Sequence, residues 1–427
     1  MDWQEIDRLI KEYKLQEAAQ RLDEMLPAIR KAGDAEEITR ALVRGAQLRA
    51  SSAEPGEAVR FLQTQPWPEG RRQHAVLSLF LAEAIKNYYD NYRWTLWKNE
   101  AVLSDKPVDV ERWTTGQFFE AVSRAYLEAW KERELLGGIP VSGLGDFLKP
   151  NTYPKAVRGT LRDTVAYLWV EHLADTGYWS PAQSNAARSL DLVALLREGE
   201  LPDEQLVDPE VHPLRRTMAI LADHERWHLS RGNRDGALEA RLERYRQLRR
   251  HALPDEIRAL RQELEKDLPE FHQVPWWAMG MAELAGLYQS SGDLPKAVEI
   301  ARAAHKAYPK SPGGERALAL ARDLRPTTWA PWPPTACTGA RSRSTTRTCP
   351  RSGSAPIRST SSSACGARTA SSSRRWTSCS PRSPPTPGRP TCPPPPTTGC
   401  TRPTSRRRSS ARAFTSSWPR GARTSPT

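Results

Sequence analysis

The sequence predicts an all-α fold: an α-solenoid of tetratricopeptide-like helical hairpins over residues 1–323, followed by a disordered low-complexity tail over 324–427. Three observations predict it. Apolar residues recur at intervals of three and four through most of the chain, the spacing of one helical face. Two stretches repeat a glycine and a small alanine at equal separation. The composition then changes abruptly near 324–329.

The first hairpin is read from Trp3, Ile6, Leu9, Ile10 and Tyr13, then Ala18, Leu22, Met25, Leu26 and Ile29. The pattern resets near Lys14-Leu15, as a turn between two helices requires. Asp34, followed by Glu36 and Glu37, starts the next helix with a capping side chain and acids in its first turn. Residues 87–130 hold Tyr88, Tyr89, Tyr92, Trp94, Trp97, Trp113, Phe118, Phe119, Tyr126 and Trp130. Aromatic side chains supply large buried areas, so a packed core is one reading of them and a peptide-binding groove is the other. From Gly137-Gly138 to Pro154 the chain reads as a long loop. Helices resume at about Val157, with Leu161, Val165, Leu168, Trp169 and Leu173 as the buried stripe. The helical domain thus divides into halves at about 1–135 and 155–323, with 136–154 as the loop between them.

The clearest repeat unit lies at the end of the second half. Leu284, Ala285, Tyr288, Gly292, Ala297, Ala304 and Pro309 fall at tetratricopeptide spacing. Leu284 and Tyr288 are expected to face the partner helix, and Gly292 to make the turn. Ala297 and Ala304 let the helices approach, and Pro309 ends the second helix. A related unit spans 221–248 with Trp227, Gly232 and Ala237, and again five residues separate glycine from alanine. Stacked units of this kind build a solenoid rather than a compact bundle.

The net charge of +13 suggests a nucleic-acid partner until its distribution is examined. Of the 63 Lys and Arg residues, 18 are arginines in 324–427, which has no Asp or Glu, so residues 1–323 carry 45 basic against 50 acidic residues, a net charge of −5. An acidic helical body has no electrostatic footprint for nucleic acid. All six cysteines (Cys337, Cys349, Cys365, Cys379, Cys392, Cys400) fall in the tail as well. The body therefore offers neither a disulfide framework nor a thiolate metal site. No apolar run reaches the length of a membrane span, and no signal peptide opens the chain. The chain as written is expected to be cytoplasmic.

Residues 325–427 use only Arg, Ser, Thr, Pro, Ala, Gly, Cys and Trp, apart from Ile357 and Phe414. Every residue type with A in the middle codon position is missing. A GC-rich gene keeps G and C mainly at the silent third position, and translating it with that position moved to the second yields this alphabet. By its composition the tail therefore reads as out-of-frame sequence, which cannot build a core. The other reading is a genuine basic low-complexity arm able to bind RNA.

One pattern could be catalytic. His224-Glu225-Arg226-Trp227-His228 matches H-E-x-x-H, which on a helix puts two imidazoles on one face to bind zinc, with Glu225 as the base that activates water. A third protein ligand is needed, and Glu239, Glu243 and Glu256 are the nearby carboxylates. The competing reading makes this segment the first helix of the 221–248 unit, with Trp227 packed and His224 and Glu225 in solvent. There is no glycine-rich phosphate loop. Asp105, Asp109 and Glu111 read as solvated caps.

Finally, Asn87-Tyr88-Tyr89-Asp90-Asn91-Tyr92-Arg93-Trp94, then 108–119 with Asp109, Trp113 and Phe118, then Thr160-Leu161-Arg162-Asp163, resemble the helical N-terminal region of large bacterial α2-macroglobulin-like proteins. The end of the body, 307–314, fits the same pattern. The resemblance covers roughly residues 1–325. It implies an exported protein of the periplasm or cell envelope that traps proteases, with proteases and the other domains of a longer parent chain as partners. The family's bait region, its Cys-x-x-Gln thioester and its β-domains have no counterpart here, so no catalytic or binding residue carries over. The expectation is a non-enzymatic helical scaffold or interaction region of such an endopeptidase inhibitor, with no cofactor. Two alternatives stand beside it: a stand-alone tetratricopeptide-like protein-binding adaptor, and a zinc metallopeptidase using His224, Glu225 and His228.

Overall fold

The computed structural model describes residues 3–51, 56–102, 108–148 and 151–324. The expectations for the tail beyond 324 and for Asp105 lie outside the described residues. Those residues form sixteen α-helices and no strand. In chain order they are α1 (Trp3–Lys11), α2 (Leu15–Ala32), α3 (Ala35–Arg49), α4 (Glu57–Thr64), α5 (Arg71–Leu96), α6 (Thr115–Lys131), α7 (Arg133–Gly137) and α8 (Leu161–Leu173). There follow α9 (Pro181–Ala186), α10 (Leu192–Arg197), α11 (Pro213–Ser230), α12 (Arg234–Arg249), α13 (Pro254–Asp267), α14 (Trp277–Ser290), α15 (Leu294–Ala307) and α16 (Pro312–Asp323). The most extensive packing joins sequence neighbours, α5 with α6, α11 with α12, α14 with α15 and α15 with α16, and α14 also packs closely on α16.

A recurring turn explains much of this pairing. Gly33, Gly232 and Gly292 have φ of +75°, +70° and +86°. Glycine enters the left-handed region without the steric cost a Cβ imposes. The next residue, Asp34, Asn233 or Asp293, is the N-cap of the following helix and accepts a hydrogen bond from Glu36 N, Gly236 N or Lys296 N. One two-residue device thus ends α2, α11 and α14 and starts α3, α12 and α15. Of the repeat residues, Leu284, Ala297 and Ala304 are buried, and Pro309 follows the end of α15. Tyr288, expected to face the partner helix, makes its side-chain hydrogen bond and its cation contact with α13. Its hydroxyl donates to Glu265 of α13, and Arg261 stacks 4.3 Å above its ring.

The aromatic segment is mostly core. Tyr88, Tyr89, Phe118, Phe119, Tyr126 and Trp130 are buried; Tyr88 and Tyr89 of α5 meet Phe118 of α6, and Phe119, Tyr126 and Trp130 meet His172 and Trp169 of α8. Trp94 and Trp97, at 70% and 72% exposure, are not. The segment between α7 and α8 is a loop held at its ends: Val141 N donates to Gly159 O and Leu161 N to Ile139 O, each at 2.9 Å. Within it, Leu144, Phe147 and Leu148 are buried.

The largest departure from the sequence reading is α8. Instead of one buried stripe it buries every residue except Glu171, Arg162 and Asp163 included. It packs against α6, α7 and α11. A helix buried on all sides needs partners for its polar residues, and those partners form the site described next.

Candidate functional site

Asp163 is placed by the start of α8. Thr160 is the N-cap, and its hydroxyl and the Asp163 carboxylate form a reciprocal capping box. Oδ2 of Asp163 accepts from Gly159 N (2.9 Å), Thr160 N (2.7 Å) and Thr160 Oγ1 (2.8 Å). This fixes the carboxylate plane and leaves Oδ1 directed at α11. There, Nε2 of His224 lies 2.9 Å and Nε2 of His228 3.0 Å from the same oxygen. The two Nε2 atoms are 3.2 Å apart. All three side chains are buried.

The structure thus brings together both histidines of the sequence pattern and supplies a third potential ligand, Asp163, from 61 residues away. The nearby carboxylates proposed from sequence are engaged elsewhere. Glu239 meets Arg158 (2.6 Å), Arg246 (2.8 Å) and Trp276 Nε1 (2.7 Å), Glu243 pairs with Arg246 at 2.9 Å, and Glu256 accepts from Leu253 N at the start of α13. His224 and Glu225 are not solvated, which corrects the second sequence reading: they are 0% and 5% exposed. Glu225 turns toward α12 rather than toward Asp163. It accepts from Arg241 Nε (2.7 Å) and Arg244 Nη1 (3.1 Å) of α12. The expected packing of Trp227 is present. It covers Gly137, where a Cβ would lie 2.3 Å from the indole, and Arg162 stacks 4.7 Å from its centroid.

Three ligand atoms around a tetrahedral zinc with bonds of about 2.0–2.1 Å would stand about 3.3 Å apart. The observed separations approach that, so the hydrogen-bond partners behind the ligands decide the chemistry. Asn233 Oδ1 accepts from Gly236 N (3.1 Å), and its amide nitrogen donates to Ala156 O (2.6 Å). With the amide orientation set by those two partners, the same nitrogen donates to Nδ1 of His228 at 3.0 Å. Nδ1 is then an acceptor, and the ring proton sits on Nε2, where it is donated to Asp163. Nδ1 of His224 is buried with no partner, which a bare lone pair tolerates better than an N–H would. A zinc-ligating Nε2 requires the proton on Nδ1 with an acceptor behind it. His224 has none, and His228 meets an amide NH₂. The surroundings suit a carboxylate holding two imidazole N–H groups.

The charges agree with this picture. Burial alone would push the Asp163 carboxyl up, but the hydrogen bonds from His224 and His228 outweigh it and hold the carboxyl far below the usual range. Burial pulls His224 down to about 4 against the opposing pull of Asp163, so its neutral form dominates at neutral pH.

Asp163 was beyond sequence reasoning as a ligand, although Thr160-Leu161-Arg162-Asp163 was visible as a segment. Its capping-box spacing was the available signal for a fixed carboxylate. No family model, curated protein or solved structure matches the chain.

Proposed function

We propose that the helical domain is a non-enzymatic scaffold that binds protein partners. The observation that carries this reading is the position of Glu225. A metallopeptidase needs that carboxylate beside the metal-bound water, and here both its oxygens are taken up by Arg241 and Arg244 of α12. The Nε2 atoms of the histidine pair likewise have their partner, Asp163, within the fold. Helical pairs packed in series present extended surfaces suited to protein recognition.

The test is zinc content and peptidase activity of the full chain after incubation with zinc chloride, with His228→Ala as the control. The expected result is less than stoichiometric zinc and no hydrolysis of casein. Stoichiometric zinc that disappears in the variant would overturn the reading in favour of the metallopeptidase.

The finer assignment, an interaction region of an α2-macroglobulin-like endopeptidase inhibitor, is supported by the Tyr88–Trp94, Trp113–Phe118 and Thr160–Asp163 resemblances. It is tested by sequencing the gene across codons 315–345 and translating the other two frames. An open frame with alternating apolar and polar residues, as a β-sandwich requires, supports it. Closed frames in both cases leave the adaptor reading.

A further inference from the structure

A cavity of about 700 Å³ opens between the loop before α8, α8 itself, α12 and the starts of α14 and α16. We propose that this cavity is the binding site for an acidic peptide segment of a partner protein; the inference rests on the protein-binding reading above and gives it a place and a chemistry. Three observations support it.

The first is the balance of unspent hydrogen-bonding capacity. A guanidinium has five N–H donors. At the rim, Arg250 donates one bond, to Gln247 Oε1, and Arg249 stands 3.8 Å from Glu283. Arg316 meets Glu283 (2.8 Å) and Met279 Sδ (3.4 Å). These three side chains keep most of their donors. The carboxylates of the lining are more nearly committed: Glu243 and Glu283 both accept from Arg246. Glu171 is the exception, reaching only Lys86 at 3.9 Å. What remains free is mainly donors, so the ligand must bring acceptors.

The second observation lies deeper in the cavity. Arg158 and Tyr167 both line it and are 7% and 5% exposed. Arg158 stacks 3.5 Å above the Tyr167 ring and 4.1 Å above Tyr153. Arg158 Nε and the Tyr167 hydroxyl are nevertheless buried with no hydrogen-bond partner. Buried polar groups are seldom left unpaired without cause. Both atoms are covered in the free protein, so a peptide's carbonyl oxygens reach these two unpaired donors as the side chains shift on binding.

The third is size. The volume falls within the range of ligand sites generally, and it admits a few residues of extended chain rather than a folded surface.

The experiment is selection of a phage-displayed random dodecapeptide library on the full chain. Anisotropy titration of the enriched peptides follows, against wild type, the double variant Arg249→Ala/Arg250→Ala, and Tyr167→Phe. Thermal midpoints confirm that each variant is folded. The expected result is enrichment of Asp- and Glu-rich peptides, with binding weakened about tenfold or more by the double variant. Tyr167→Phe should weaken binding while leaving the midpoint unchanged or higher, because the hydroxyl has no partner in the free protein. Peptides without acidic bias, or acidic peptides indifferent to both sets of variants, would overturn the cavity assignment and leave the protein-binding reading standing. Failure to enrich any binder would overturn both. Displacement of the peptide by inorganic phosphate at equal concentration would instead identify a free-anion site and overturn the peptide assignment.

Discussion

Asn233 donates its side-chain amide to Nδ1 of His228 across 3.0 Å, and that bond decides which ring nitrogen of His228 carries the proton. Asn233 also caps α12 and holds Ala156. The residue after the left-handed Gly232 therefore does three jobs: it starts a helix, ties down the loop before α8, and sets the histidine tautomer. The turn device that repeats at Gly33-Asp34 and Gly292-Asp293 has here been joined to a buried polar cluster.

The first prediction concerns Asp163. It is the single acceptor for both imidazole N–H groups and for three donors at the start of α8. Asp163→Asn keeps the shape but removes the charge and turns an NH₂ toward donors on one side or the other. Breaking a buried, charge-assisted set of this kind costs on the order of 3 kcal/mol. The urea midpoint of the variant should fall accordingly with little change in the slope. A midpoint equal to wild type would show that the cluster does not bear on stability.

The second separates a structural from a catalytic Glu225. Removing a catalytic acid commonly leaves stability unchanged or improves it, because active sites are arranged at the expense of stability. Glu225 instead neutralises Arg241 and the largely buried Arg244. Glu225→Gln should therefore destabilise the protein by about 1–3 kcal/mol. A variant as stable as wild type or more so would count against the structural role.

The third is a pH dependence. His172 of α8 is buried, its Nε2 is 3.2 Å from Phe119 O, and its Nδ1 has no partner. Burial pulls it down to about 3, and His224 to about 4, from an ordinary value of 6.5. Between those limits the unfolded chain binds more protons than the folded one. The stability these neutral histidines permit is thus fully present above about pH 6.5 and is lost as pH falls toward the folded values. At about 1.4 kcal/mol per unit, the full window is worth about 3–5 kcal/mol for each. Urea midpoints should drop steadily from pH 7 to pH 5, and His172→Gln should flatten part of the slope. A flat wild-type profile over that range would remove the premise of neutral buried imidazoles.

The parts legible in the sequence were those governed by local rules. The α14–α15 pair could be read because Gly292, Ala297 and Ala304 each act within a single hairpin. Asp34 was legible as a cap for the same reason. The parts that were not legible depend on distant residues. Helix α8 is buried on every side, so its apolar stripe conveys only some of what it packs. Asp163 meets His224 only because α8 and α11 cross, and nothing within five residues of His224 announces it. Glu225 was read as solvated because a charged residue in an amphipathic helix usually is. Its arginine partners come from α12, and helix periodicity does not say which charged faces will meet. In the aromatic segment, composition implied burial but could not distinguish Tyr88 and Tyr89 inside from Trp94 and Trp97 outside, since all four lie on α5 or at its end.

The last prediction uses three glycines to separate backbone conformation from packing. Gly286, inside α14, has open space where a Cβ would be. Gly286→Ala should stabilise the protein by up to about 1 kcal/mol through helix propensity. Gly292 also has open space, but its φ of +86° strains any L side chain, so Gly292→Ala should cost about 1 kcal/mol. Gly313, in the first turn of α16, has ordinary backbone geometry, but a Cβ there would lie 2.1 Å from Met279 N. Because the obstacle is main chain rather than a movable side chain, Gly313→Ala should push α16 away from α14 and cost about 1–3 kcal/mol or more. Urea midpoints of the three variants should therefore rise, fall slightly and fall furthest. If Gly313→Ala were tolerated as well as Gly286→Ala, the close approach of α14 and α16 would not exist in solution. The cavity that both helices help to line would then need a different wall.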